Sequence, residues 1–228
     1  MSFRRFGVIA LLASAAVFMT GCATNRSEIK VAAPVAPAAA PAVTKARAVV
    51  IQSVTDQRVF EAAPRSPNIP SLGFGGAAAA TEAVKARAVA RKRNTYGKAL
   101  GDVLVQDGQT VTGLVRENVA SALQQLGYRV AKDVGSAGPD PLLVDVRIRK
   151  LWSWVNMGFW AITMNADVET SIHIAGSETA ATSISVHAEE SQGAATDGAW
   201  LSIVQKGLST YREEAVKQLA APAFSSVK

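Results

Sequence analysis

The chain has 228 residues, a formal net charge of +6, a hydrophobic share of 49% and one cysteine. This length suits one domain of ordinary size with tails. A single cysteine excludes an intramolecular disulfide and a cysteine-cluster metal site, and two histidines argue against a histidine-rich one. Because 42 residues are alanine, which adds little to a core, the core-forming fraction is well below the hydrophobic share.

The amino terminus predicts export and lipidation. Two arginines precede an uncharged apolar run, Phe6–Met19, which has the length of a secretory signal and is short for a membrane span. The run ends in Met19-Thr20-Gly21-Cys22, which resembles the bacterial lipoprotein cleavage box. We expect residues 1–21 to be a signal peptide and Cys22 to carry the acyl chains, palmitate included, that anchor the protein. The alternative is an ordinary signal peptide with an incidental cysteine.

The residues after the cysteine predict location and organisation. Ala23 stands where an Asp retains lipoproteins in the inner membrane of well-studied enterobacteria, so we expect the periplasmic face of the outer membrane. Residues 22–45 are rich in Ala and Pro and predict an extended tether. A single α+β domain is expected over 46–222, followed by a tail over 223–228.

Positive charge is concentrated in residues 57–98. Their eight cations and two carboxylates give an excess equal to the net charge of the whole chain. Low core content predicts a basic, partly disordered insert with a helix over 77–93. An exported protein rarely meets nucleic acid, so we predict no nucleic-acid partner. We interpret the basic run either as a solvated helix face or as an anionic-surface site formed by Lys85, Arg87, Arg91, Lys92 and Arg93.

Hydrophobic periodicity predicts the elements of the domain. Short apolar runs predict strands at 48–51, 101–105 and 128–130. Alternation of polar and apolar residues predicts three half-buried strands at 142–149, 160–174 and 182–189. Apolar residues at three- and four-residue steps predict helices over 109–126 and 198–220. The expected fold is an α+β two-layer sandwich, with an antiparallel sheet of about four or five strands and two helices on one face. Its other face is expected to be polar and free.

Three of the four tryptophans lie near one expected hairpin, where the alternation breaks. Such a tip is typical of a partner-binding hot spot or of a membrane-interface anchor. Alternatively, the rings cover the end of the sheet or pack on the insert. The partner-binding candidates are Trp152, Trp154, Met157, Phe159 and Trp160.

Catalytic and metal chemistry have little support in the sequence. His173 and His187 are expected on the polar sheet face, diagonal to each other if Ile174 lies opposite Ile184. A metal site there competes with the simpler interpretation of a solvated face, and we predict no metal and no cofactor. The motifs of serine hydrolases, zinc proteases and phosphate loops are absent from the sequence, so we predict no catalytic residues and no enzyme activity.

Several short motifs resemble the YajG-like family of small, poorly characterised bacterial outer-membrane lipoproteins. They are the box ending at Cys22, the Pro-containing tether, Asp56-Gln57-Arg58 after a first strand, and Leu126-Gly127-Tyr128-Arg129-Val130 after a helix. The resemblance covers most of the mature chain and implies no catalytic residues. We interpret Asp56 and Arg58 as a structural turn with an ion pair or cap.

These observations predict a lipid-anchored, periplasm-facing outer-membrane lipoprotein. We expect it to act as a non-catalytic interaction or accessory module of the cell envelope, with an envelope protein as partner. The alternative is a lipid- or glycan-binding accessory lipoprotein of an envelope transport system. A hydrolase is a third class of function.

Overall fold

The computed structural model describes residues 26–35, 43–73, 75–175 and 181–220. The predicted signal peptide, the lipidation site Cys22 and the predicted tail lie outside these residues. The described residues form one eight-stranded mixed sheet, curled into a half-barrel, and four helices.

The elements follow one another in a mixed order along the chain. The strands are β1 (Ser27–Ile29), β2 (Val49–Asp56), β3 (Ala88–Arg93), β4 (Ala99–Val105), β5 (Val130–Ala131), β6 (Leu142–Met157), β7 (Ile162–Ile174) and β8 (Ala181–Gln192). The helices are α1 (Glu82–Arg87), α2 (Val111–Gln125), α3 (Val134–Ala137) and α4 (Asp197–Leu219). Side chains of Thr110 and Thr196 cap α2 and α4 by accepting backbone N–H groups of the first turn.

The predicted antiparallel sheet of four or five strands is wrong. Strands β6, β7 and β8 form an antiparallel meander, but β1 pairs with β4, and β6 with both β2 and β3, in parallel. The sequence pattern reveals the meander because each of its strands alternates polar and apolar residues. It does not reveal the parallel pairs, because their partners are far apart in the chain and β1 is only three residues long.

The two faces of the sheet carry separate apolar clusters. The predicted free polar face is correct along β8, whose outward polar side chains are exposed, and wrong along β6, where the 57–98 segment covers it. Helices α2 and α4 pack on one face, where the largest cluster includes Trp200 and Tyr211. On the other face, Trp152 and Trp154 are covered by Phe60 and Leu72 of the 57–98 segment. Successive strand residues point to opposite faces, so the neighbours of these tryptophans contribute to the opposite layer.

Two strands come from segments in which the sequence predicts none. Ser27–Ile29 lies within the stretch predicted as a tether and adds β1 to the edge of the sheet. Ala88–Arg93 lies within the stretch predicted as a helix, yet it forms β3 and its first three residues are completely buried. Small side chains fit between two packed layers, and this tertiary packing overrides the helix propensity of Ala and Arg.

Candidate functional site: a cationic cleft between β3 and β6

The cleft exists because one edge of β6 changes partner. Strand β7 pairs along the opposite edge of β6 over most of its length. On the cleft edge, β2 pairs with β6 as far as Asp56 opposite Ile148, and β3 then meets β6 at the Ala90–Ser153 pair. Beyond this pair the described residues of β3 and β6 are not paired with each other. The ends of the two strands form the walls of a cleft.

Arg58 fills the gap between β2 and β3 along this edge. Its side chain is completely buried and pairs with Asp56, with Nη2 lying 2.8 Å from Oδ2. Its Nη1 donates to the carbonyl oxygens of Ala88 in β3 and Leu151 in β6, at 2.6 and 3.2 Å. The predicted ion pair at Asp56 and Arg58 is confirmed. The guanidinium also connects β3 to β6 by hydrogen bonds, in the interval along β6 between its pairing with β2 and its pairing with β3.

The cleft has a volume of about 620 Å³ and a positively charged lining. One wall is formed by the end of β3 and the following turn, the other by the end of β6, and Trp200 of α4 also lines the cleft. Among the described residues that line it there is no carboxylate. Its four cations are Arg65, Arg91, Lys92 and Arg93.

Arg91 has the least satisfied side chain in this lining. Its Nε and Nη1 are buried and have no hydrogen-bond partner within the described part of the chain. The side chain opposite it in the sheet is Asp102, but that carboxylate accepts from the Gly73 amide and pairs with Arg26 instead. A buried guanidinium nitrogen without a partner is costly, so such donors mark a place where an anion is stabilised.

Arg93 lies beside Arg91 and feels its charge. It donates to the Pro64 carbonyl and to Ser71 Oγ, at 2.7 and 3.1 Å, while its Nε is buried without a partner in the described residues. Burial first, and then the positive charge of Arg91, lower the pKa of Arg93 from its ordinary value. Two cations that repel each other in a partly dry cleft would both be stabilised by one bound anion.

The rim of the cleft is apolar and exposed. Met157 lines the cleft and is 57% exposed, and beyond it the β6–β7 turn carries Phe159 and Trp160, which are 89% and 91% exposed. The two rings contact each other edge to face at 4.8 Å between centroids. A side chain at Gly158 would place its Cβ 2.4 Å from the Ala161 carbonyl oxygen, so this tight turn requires glycine. We call Met157, Phe159 and Trp160 the aromatic tip.

The five predicted anionic-surface residues do not form one surface. Lys85 pairs with Glu82, and Arg87 pairs with Glu28 and, at 3.7 Å, with Asp107. Lys92 contacts Ser27 Oγ and lies 3.7 Å from Asp197. Arg91, Lys92 and Arg93 line the cleft, whereas Lys85 and Arg87 lie away from it and are balanced by carboxylates.

The five predicted partner-binding residues separate into a buried and an exposed group. Trp152 and Trp154 are 1% and 8% exposed and belong to the core. Trp152 donates its Nε1–H to the Pro67 carbonyl and packs edge to face on Phe60, so it holds the 57–98 segment against the sheet. Only the aromatic tip is available to a partner.

The two histidines are not diagonal neighbours. The β7–β8 register places His187 opposite Asp167 and His173 opposite Ala181, because Ile184 lies opposite Thr170 rather than Ile174. His187 Nδ1 lies 2.7 Å from Asp167 Oδ1, and Lys150 pairs with the same carboxylate. Within the described residues no group of three or more His, Cys, Asp or Glu side chains is placed to hold a metal ion.

Several cleft residues were missed at the sequence level. Trp200 is buried at the cleft and its Nε1–H has no partner among the described residues. Its helical spacing predicts a core residue, and nothing in the sequence predicts that it also lines a cleft. Tyr96 and Asn156, both exposed, and Arg65 also line the cleft. The run of basic residues in the sequence indicates only the β3 wall of the cleft. The β6 wall cannot be predicted in this way, because β6 meets β3 through a parallel pair between distant segments.

Among known proteins, only solved structures are similar to this chain. No family model and no curated protein matches the chain. The crystal structure of protein XCC0632 from Xanthomonas campestris, described as DUF330, is similar with a TM-score of 0.48 and 12% identity, covering 87% of this chain and 98% of that one. A structure of the hypothetical protein CT253 from Chlamydia trachomatis has a TM-score of 0.31 and 9% identity, covering 75% of this chain and 99% of that one. The structural neighbours thus include small bacterial proteins of the DUF330 family.

Proposed function

We propose that this protein is a lipid-anchored lipoprotein of the YajG-like kind on the periplasmic face of the outer membrane. In this proposal it is a non-catalytic accessory module of the cell envelope. The cleft between β3 and β6 is its binding site, and the ligand is an envelope molecule that carries a phosphate or carboxylate group. Within the described residues no helix is both long and apolar enough to cross a membrane.

The observation that carries the proposal is that Nε and Nη1 of Arg91 are buried without a partner in the described residues, in a cleft whose described lining includes no carboxylate. A second open cleft, beside Arg58, offers a comparison. It is lined by two carboxylates as well as two cations, and Arg58 and Lys85 there are paired with Asp56 and Glu82. Both cations of that cleft therefore have a carboxylate partner, whereas two buried guanidinium nitrogens of Arg91 have no partner in the described residues, which favours a negatively charged ligand. The apolar rim favours an amphiphile, which supports lipid over glycan within this class.

Membrane anchoring has a direct test in the replacement of Cys22 by alanine. A thioether-linked diacylglycerol requires the cysteine sulfur, so we expect Cys22→Ala to leave the membrane fraction while the wild type remains there. Membrane and periplasmic fractions are compared by immunoblotting, with separation of inner and outer membranes. Unchanged fractionation of the variant would exclude a lipid anchor at this position.

The ligand class is tested by photocrosslinking in living cells. A photoreactive amino acid replaces Asn156, which lines the cleft and is exposed. The control position is Val134 in α3, which is 52% exposed and lies outside the cleft. We expect position 156, and not position 134, to yield adducts whose mass includes a phosphate- or carboxylate-bearing lipid or glycan.

The same experiment distinguishes the alternatives. An adduct with an envelope protein alone at position 156 would replace the small-ligand proposal by the protein-partner interpretation. Equal, non-specific adducts at both positions would exclude a binding site in the cleft. A further control with Arg91→Ala in the photoreactive chain should lose the specific adduct.

A further inference from the structure

We infer that the aromatic tip inserts into the membrane that holds the lipid anchor, and that the cleft takes the phosphate head group of a phospholipid from that membrane. This inference rests on the proposed function, because it uses the anchor at Cys22 and the anionic cleft. It adds the orientation of the domain and the source of the ligand. Four observations carry it.

The first observation is the short distance along the chain between the anchor and the sheet. Strand β1 begins at Ser27, five residues after Cys22. A fully extended chain covers at most about 3.6 Å per residue, so the anchored sulfur is connected to the sheet by no more than about 18 Å. The domain is therefore held against the membrane surface rather than at the end of a long tether.

The second observation is the direction of the strands. Strand β1 is parallel to β4, β4 is antiparallel to β3, and β3 is parallel to β6. Strand β1 therefore begins at the end of the sheet where β6 ends. Ser27 lies level with Ser153 through successive strand pairs, and β6 continues from there to Met157 by about 13 Å. The start of β1, where the anchored segment enters the sheet, and the aromatic tip thus lie at the same end of the sheet.

The third observation is that the start of β1 contacts the cleft wall. Ser27 Oγ donates to Asp197 Oδ1 at 2.6 Å and also contacts Nζ of Lys92, which lines the cleft. The residue at which the anchored segment joins the sheet is therefore a neighbour of the cleft. We therefore place the cleft close to the head-group region when the anchor is in the bilayer.

The fourth observation is the chemistry of the rim. Phe159 and Trp160 are the two most exposed aromatic residues of the described chain after Tyr96, which is 93% exposed and also lines the cleft. Tryptophan and tyrosine favour the interface between hydrocarbon and water, where their rings meet lipid and their polar atoms meet head groups. The unpartnered Arg91 donors lie deeper in the cleft, where a phosphate rather than an acyl chain satisfies them.

The orientation is tested on the full lipidated chain in vesicles of phosphatidylglycerol and phosphatidylcholine. Because lipidation blocks Cys22, the replacement Phe159→Cys gives a single free thiol for an environment-sensitive fluorophore. The matched control is Val134→Cys, at the opposite end of β6, roughly 50 Å away along the strand. We expect a blue shift of the emission and quenching by nitroxide-labelled lipids at position 159, and neither at position 134.

The head group is tested with a fluorophore at Asn156→Cys. We expect spin-labelled phosphatidylglycerol to quench this fluorophore more strongly than spin-labelled phosphatidylcholine does, and we expect Arg91→Ala to remove this difference although the protein remains anchored. Equal quenching in both proteins would overturn the head-group assignment. If inorganic phosphate saturates the cleft and the lipid does not compete with it, the ligand is a soluble phosphate and the inference is wrong.

Different results would overturn the membrane orientation and the proposed function. A fluorophore in water at position 159 overturns the orientation, whereas a specific anionic adduct at position 156 in cells still supports the proposed function. Absence of that adduct, with the fluorophore at position 159 in the membrane, overturns the proposed binding site and leaves the aromatic tip as a docking element.

Discussion

Replacing Arg58 by alanine is expected to lower the free energy of unfolding by about 3 kcal/mol. The guanidinium is completely buried, and its removal leaves the Asp56 carboxylate without its cation. It also leaves three carbonyl oxygens, those of Lys85, Ala88 and Leu151, without this donor. Unpaired buried polar groups cost about 1–3 kcal/mol each when nothing replaces the lost partner, and partial hydration of the site reduces their sum.

The measurement is denaturant unfolding of the lipidated protein in detergent, followed by far-UV circular dichroism. Arg58→Lys keeps the charge beside Asp56 but lacks the planar fork that reaches two strands, so an intermediate loss is expected. The matched control is Arg149→Ala, which removes an exposed arginine from β6 and should change stability by less than about 0.5 kcal/mol. An Arg58→Ala protein as stable as this control would contradict the role of Arg58 in joining β3 to β6.

The sequence predicts the elements whose information is local. Alternation places β7 and β8 within two or three residues of their observed bounds, and helical spacing does the same for α2 and α4. The spacing that predicts Trp200 and Tyr211 on a buried helix face is confirmed by their burial. In each case the apolar pattern has one period and one buried face, and a single physical rule is sufficient.

The missed features depend on contacts between distant segments. Nothing in Ala88-Val89-Ala90 distinguishes a buried strand from a helix until β4 and β6 pair on both sides of it. Broken alternation at Trp152 correctly marks a special position, but only the covering segment shows that this ring is core and the aromatic tip is surface.

The cleft, too, could be predicted from the sequence only in part. Its basic wall is visible as a run of charge at Arg91, Lys92 and Arg93, and yet the sequence does not show which of these cations have partners. Carboxylates from distant segments neutralise Arg87, while the carboxylate opposite Arg91 pairs with Arg26. The candidate site is thus identified by which cations lack a carboxylate partner in the described structure, and not by where basic residues lie in the sequence.

The second large effect is expected for Arg91→Ala, on affinity for a phosphate-bearing lipid. Hydrogen bonds to a charged group contribute about 1.5–3 kcal/mol, so losing the two buried donors should weaken binding by tenfold or more. Arg91→Lys, which keeps the charge but not the fork, should lose less. Arg149→Ala should bind as the wild type does, because its guanidinium lies outside the cleft.

The most direct test of the account is the dissociation constant of phosphatidylglycerol for the lipidated protein, measured by native mass spectrometry from neutral detergent. We expect one lipid bound per chain by the wild type and by Arg149→Ala, with at least tenfold weaker binding by Arg91→Ala. Equal affinity in all three proteins, or equal affinity for a neutral diacylglycerol, would contradict the central claim that the cleft between β3 and β6 binds a lipid phosphate.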